Sequence, residues 1–163
     1  MMRLPIITHE RLGTWARQLR PRVVSWPVRL VESRSPTDLA VAMGRSACPL
    51  VVLDLGDRPR AGLEDLDRAL PSAPNALILV LDPTAQPGVA PLAREIGASH
   101  VISGVATPPM VVGLLARWLP LALRRAESDG WSPMAEPEPE PWEPGWQPSA
   151  AALANLAAGA FRS

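Results

Sequence analysis

The chain has 163 residues, 47% of them apolar, enough for one domain of ordinary size with a proper core and some tail. Sixteen Asp and Glu balance sixteen basic residues, all of them arginine, so no basic excess marks a nucleic-acid surface. The single cysteine, Cys48, excludes an internal disulfide framework and a multi-cysteine metal site. No stretch reaches the roughly eighteen uninterrupted apolar residues of a membrane span, and "MMRLPIITHERL" is too short for a signal-peptide core. A cytoplasmic protein that does not bind membrane or nucleic acid is the expectation.

In chain order, "LPIIT" reads as a short strand. "HERLGTWARQLR" follows as a helix with Leu12, Trp15, Ala16 and Leu19 on one face. "VRLVES" is a second strand. "SPTDLAVAMGRS" is a helix with a start signal at Ser35 and Pro36 at its first position. "PLVVLDL" is a third strand, continuous rather than alternating in its apolar residues, as when both sheet faces are covered. "GLEDLDRAL" is a short helix before Pro71, "ALILVL" a fourth buried strand, and "GVAPLAREIG" a helix ended by Gly97. "SHVIS" is a fifth strand. "PPMVVGLLARWLPLALRRAES" is a long last helix in which Pro120 predicts a kink or break.

Five strands alternating with helices predict a parallel sheet in an α/β sandwich. Sites in such sheets form at the carboxyl ends of the strands, beside the topological switch point. Thr8, His9, Asp54, Asp82 and Ser103 fall at or just past such ends.

After residue 127 the composition changes. "AEPEPEPWEPGWQP" repeats Pro with acid, which gives an extended, solvated linker over residues 128–148. Residues 149–163 are Ala-rich and long enough for a short helix, although a frayed tail is the favoured reading.

The pattern over residues 3–126 resembles the receiver domain of bacterial response regulators, a flavodoxin-like three-layer sandwich. The likeness rests on "CPLVVLDL", on Gly62 and Glu64 in "AGLEDL", and on "AREIGASHVIS". The resemblance implies a phosphoacceptor aspartate ending the third strand, and Asp54 matches it. It also implies an acid pair after the first strand that helps hold Mg²⁺, but those positions fall on Thr8 and His9, with only Glu10 following. The implied hydroxyl after the fourth strand falls on Asp82 by strand length, or on Thr84 if "TA" sets the register. The implied lysine after the fifth strand falls near Gly104, and the chain contains no lysine.

Mg²⁺ demands hard oxygen ligands, and phosphoryl transfer demands neutralised equatorial oxygens. With both stabilisers depleted, the expected site is a vestigial pocket of Thr8, His9, Glu10, Asp54, Asp82, Thr84 and Gly104, without catalysis, metal or cofactor. Two readings of His9 stand open: a contact with Asp54 filling the metal's space, or a solvent-exposed start of the first helix.

Other chemistry lacks support. His100 and Ser103 lie at an odd spacing in one strand, so their side chains face opposite ways. No zinc spacing, phosphate loop or dinucleotide fingerprint occurs. The cluster Asp57, Arg58, Arg60, Glu64, Asp65, Asp67 and Arg68 reads as a solvated face with ion pairs. The last helix carries more apolar residues than one covering face needs, among them Trp118 and Leu119, which points to a second apolar contact such as a dimer partner. Trp142 and Trp146 either fold back or present "PWEPGW" to a partner groove. The leading expectation is a pseudo-receiver that binds a protein partner without a phosphorylation switch. The alternatives are an atypical regulator still phosphorylated on Asp54 and a small-ligand sensor at the strand ends.

Overall fold

The computed structural model describes residues 3–128. Its sheet is built from five short apolar strands: β1 Leu4–His9, β2 Val28–Ser33, β3 Leu50–Asp54, β4 Leu77–Asp82 and β5 His100–Ser103. Parallel pairing in the order β2-β1-β3-β4-β5 puts β3 and β4 in the interior, which is why they read as unbroken hydrophobic runs. Helices α1 Thr14–Leu19, α2 Pro36–Gly44, α3 Pro59–Ala69, α4 Val89–Ile96 and α5 Pro108–Ser128 connect and follow the strands.

The pleat divides the core in two. Ile7, Val51, Leu53, Ile78 and Val80 pack with Leu39 and Met43 of α2, Leu63 and Leu66 of α3, and Ala93 of α4. Leu4, Ile6, Leu50, Val52, Leu77, Leu79 and Leu81 pack with Trp15 and Leu19 of α1 and with Val111, Leu115, Ala122 and Ala126 of α5. Each large side chain buried this way contributes about 1.5–3 kcal/mol. The result is the flavodoxin-like three-layer sandwich expected from the sequence.

Local signals act as their chemistry dictates. Ser35 caps α2 by accepting the Asp38 N–H at 3.1 Å, with Pro36 at the first helical position. Gly97 ends α4.

Two local expectations are corrected. The first helix starts at Thr14, because Gly13 adopts φ 70° and breaks the helical path. Leu12 is therefore in a loop and 81% exposed, and His9 is the last residue of β1, not a helix start. Of the kink or break expected at Pro120, the break does not occur, and α5 runs through it. Val111 and Leu115 before it and Ala122 and Ala126 after it lie on one buried face, and that packing holds the helix across the missing N–H.

The apolar surplus of α5 lies beside this seam. Val112, Leu114, Trp118, Leu119, Leu121 and Leu123 are partly buried against the same core, and Met110 alone among the helix's large apolar residues is mostly exposed, at 51%. The segments assigned to residues 128–148 and 149–163 lie outside the described residues, apart from Ser128 at the end of α5. Among the described residues no helix is long and apolar enough to cross a membrane.

Candidate functional site

From β1 the chain leads to β2 on one side, while β3 lies on the other, so the gap between the ends of β1 and β3 is the topological switch point. His9 is in register with Leu53, one residue before Asp54, and Asp54 is in register with Leu81, one residue before Asp82. Asp82 in turn aligns with Ser103. These ends form one rim, with Glu10 just beyond β1.

Asp54 follows Leu50 and Val52 on the face covered by α1 and α5. Its Oδ2 accepts the indole N–H of Trp15 at 3.1 Å, and its Oδ1 accepts the Gly56 N–H at 2.9 Å. Glu10 is buried and accepts two backbone N–H groups, Trp15 through Oε2 and Ala16 through Oε1, each at 2.9 Å. These are orphan donors of the α1 N-terminus, where Gly13 in the capping position offers no side chain. Both carboxylates thus have every oxygen engaged by a neutral donor. They line a cavity of about 440 Å³ together with the exposed pair Arg11–Asp57, whose charged atoms are 3.7 Å apart.

His9 does not meet Asp54, and its imidazole is not in solvent; it is 6% exposed. It follows Ile7 onto the opposite face of the sheet, because successive side chains alternate. There Nδ1 is 3.0 Å from Ser33 Oγ at the end of β2, and Nε2 is 3.2 Å from Asp65 Oδ2 on α3. An ionised carboxylate only accepts, so Nε2 carries the hydrogen toward Asp65. A second cavity of about 200 Å³ touches His9, Glu10, Asp54 and Asp65, with Arg11, Arg34 and Arg58 also in its wall.

Thr8 does not reach this rim. It sits within β1, buried, with its hydroxyl 3.5 Å from the Val31 carbonyl. Asp82 follows Ile78 and Val80 onto the face away from Asp54, and it is fully buried. Its Oδ1 accepts the Thr84 hydroxyl at 3.0 Å, while Oδ2 has no hydrogen-bond partner. Both candidates for the fourth-strand position are therefore tied to each other. Gly104 donates its N–H to the Asp82 carbonyl at 2.8 Å, and nothing lies within 4 Å of where its Cβ would be. That space holds no cationic side chain from the end of β5.

These residues do not fit a Mg²⁺ ion. Among the described residues no group of three or more His, Cys, Asp or Glu converges as a metal site. The two carboxylates at the switch point are already turned toward N–H donors. A cation taking these oxygens would compete with those donors and would find too few further carboxylates among the described residues to fill an octahedral shell.

Sequence reasoning overlooked Trp15, Ser33, Asp65 and Gly56. The apolar helical face that includes Trp15 accounts for its ring, which is buried, but the indole N–H is a polar tip that seeks a partner when buried. Asp65 was assigned to a solvated charge cluster, yet it is the member of that cluster that faces His9. Trp118 and Leu119 lie on α5 as described, distant in sequence from this rim, and Trp142 and Trp146 lie outside the described residues.

No protein-family model matches the sequence, and no curated protein matches it. Solved structures do. The BeF₃-activated receiver domain of DrrB superposes with a TM-score of 0.60 at 15% identity, covering 73% of this chain and 99% of that one. A response regulator from Burkholderia pseudomallei, solved with a phosphorylated aspartic acid, calcium ion and citrate, gives 0.58 at 17% identity over 77% and 72%. The chemotaxis protein CheY4 of Vibrio cholerae gives 0.58 at 10% identity over 71% and 98%. With β2-β1-β3-β4-β5 order and an aspartate ending β3, the chain has the fold of a response-regulator receiver domain.

Proposed function

We propose that the chain is a pseudo-receiver: a non-catalytic protein-interaction module in bacterial signalling or scaffolding that works in the cytoplasm without phosphorylation. One observation carries the reading. The carboxylates of Asp54 and Glu10 spend all four oxygens on internal N–H donors, and the chain has no lysine to grip phosphoryl oxygens. Phosphoryl transfer to Asp54 would compete with both of its bonds and, among the described residues, would lack a metal site, leaving only Arg11, Arg34 and Arg58 in the neighbouring cavity wall to neutralise the phosphoryl oxygens.

The output then passes through a protein partner. Trp142 and Trp146, in "PWEPGW", supply two aromatic anchors in an acidic, Pro-rich stretch, a composition that suits a recognition segment. A second copy bound along α5, through Trp118 and Leu119, is the less supported surface, because both side chains already pack on the chain's own core.

The test is to incubate the full chain with acetyl phosphate and Mg²⁺ and to read intact mass. No mass gain is the expected result. A phosphoryl adduct mapped to Asp54 would overturn the reading and favour an atypical phosphoacceptor, for which the open cavity beside Asp54 is the supporting feature.

A further inference from the structure

Trp15 makes a double connection. Its backbone N–H is bonded to Glu10 and its indole N–H to Asp54, so a single residue donates to both carboxylates of the switch-point cavity. Two acids facing one cavity repel unless positive charge or donors stand between them. A divalent cation is the usual solution; two N–H dipoles from one tryptophan are the solution built here.

We infer that Trp15 denies divalent cations the Oδ2 atom of Asp54, the oxygen that its indole N–H occupies. The inference rests on the pseudo-receiver reading of this site. A cation coordinated by Asp54 Oδ2 at about 2.1 Å would confront the positive end of the indole N–H dipole and the ring behind it. The ring is 8% exposed and packed in the cluster that contains Leu4, Ile6 and Leu19, so it does not swing aside without opening the core. Glu10 offers no compensation, because turning either oxygen toward an ion strips a donor from the α1 N-terminus. The remaining cavity-wall acid, Asp57, is exposed and pairs with Arg11.

The experiment is a Mg²⁺ titration of the full chain followed by amide NMR, on the wild type and on Trp15→Phe. Phenylalanine retains an aromatic ring for the core and removes the indole donor. The wild type is expected to give no saturable shifts at Asp54 to Gly56. Trp15→Phe is expected to gain saturable shifts there with at least about tenfold tighter apparent affinity, a scale set by the loss of one donor to a charged group. The double variant Trp15→Phe, Asp54→Asn is expected to lose that gain. A folded Trp15→Phe that binds Mg²⁺ no better than wild type would overturn the inference, as would saturable binding by the wild type at this cavity.

If Trp15→Phe does not fold, the wild-type indole proton decides. It should exchange slowly and shift in Asp54→Asn; fast exchange with no shift overturns the inference. Phosphorylation of the wild type defeats the pseudo-receiver reading itself. An unphosphorylated wild type with an unresponsive Trp15→Phe defeats only the role of Trp15.

Discussion

Glu10→Ala tests the central packing device of this site. Helix α1 is six residues long, and its capping position is a glycine in the left-handed region with no side-chain bond. A helix that short does not persist by propensity. Glu10 supplies what is missing, with both oxygens on the N–H groups of Trp15 and Ala16. Those two residues are buried, so when the carboxylate is removed their amides lose a charged acceptor and gain at best water from the adjoining cavities. An ordinary cap contributes about 1 kcal/mol, and a bond to a charged group about 1.5–3 kcal/mol. Two such bonds, counted below full additivity, put the loss for Glu10→Ala at about 3 kcal/mol. Glu10→Gln retains one acceptor oxygen but turns an NH₂ toward the other donor, for a loss of about 2 kcal/mol. The assay is urea unfolding by far-UV circular dichroism, where the midpoint should fall and the slope stay constant. Hydrogen exchange should lose protection first at Trp15 and Ala16. A Glu10→Ala loss below about 0.5 kcal/mol, the range of ordinary surface substitutions, would refute the argument.

Other substitutions probe the remaining contacts. Asp82→Asn removes a carboxylate from a fully buried position while leaving an acceptor for Thr84; the NH₂ that replaces the orphan oxygen offsets part of the gain, and stability should rise by about 1 kcal/mol or less in the same unfolding assay. His9→Ala frees Ser33 and Asp65 at once and should cost about 2 kcal/mol, with the loss of protection spreading to α3; an effect confined to β1 would argue against the bridge. Gly97→Ala forces a side chain into φ 135° with its Cβ 2.7 Å from Leu70 Cδ2, and should cost about 2 kcal/mol as a lowered thermal midpoint.

The elements of this fold were legible because their signals are local. The third strand reads as "PLVVL" running unbroken into Asp54, since helices cover both its faces, and Ser35-Pro36 and Gly97 mark helix ends by chemistry confined to a turn. The entry to α1 departs from the helical stripe for an equally local reason. Leu12, Trp15, Ala16 and Leu19 form a helical stripe only if Gly13 is ignored, and Gly13 is where the chain turns. At Pro120 only the break is ruled out: the proline's effect on the backbone is local, but the burial of Val111, Leu115, Ala122 and Ala126 that carries α5 through it is tertiary.

By itself the sequence determined the alternation of strand and helix, the arrival of Asp54 at a strand's carboxyl end, and the absence of any lysine to serve it. Which partner each acid receives was decided only by the tertiary structure. The parity of the pleat sends His9 and Asp54 to opposite faces of adjacent strands. Helix α3 then carries Asp65 to His9, and α1 carries the Trp15 indole to Asp54. Hydrophobic periodicity specifies which face an element buries. A buried polar group, though, must bond to whatever donor the docked neighbour presents, and that neighbour comes from elsewhere in the chain.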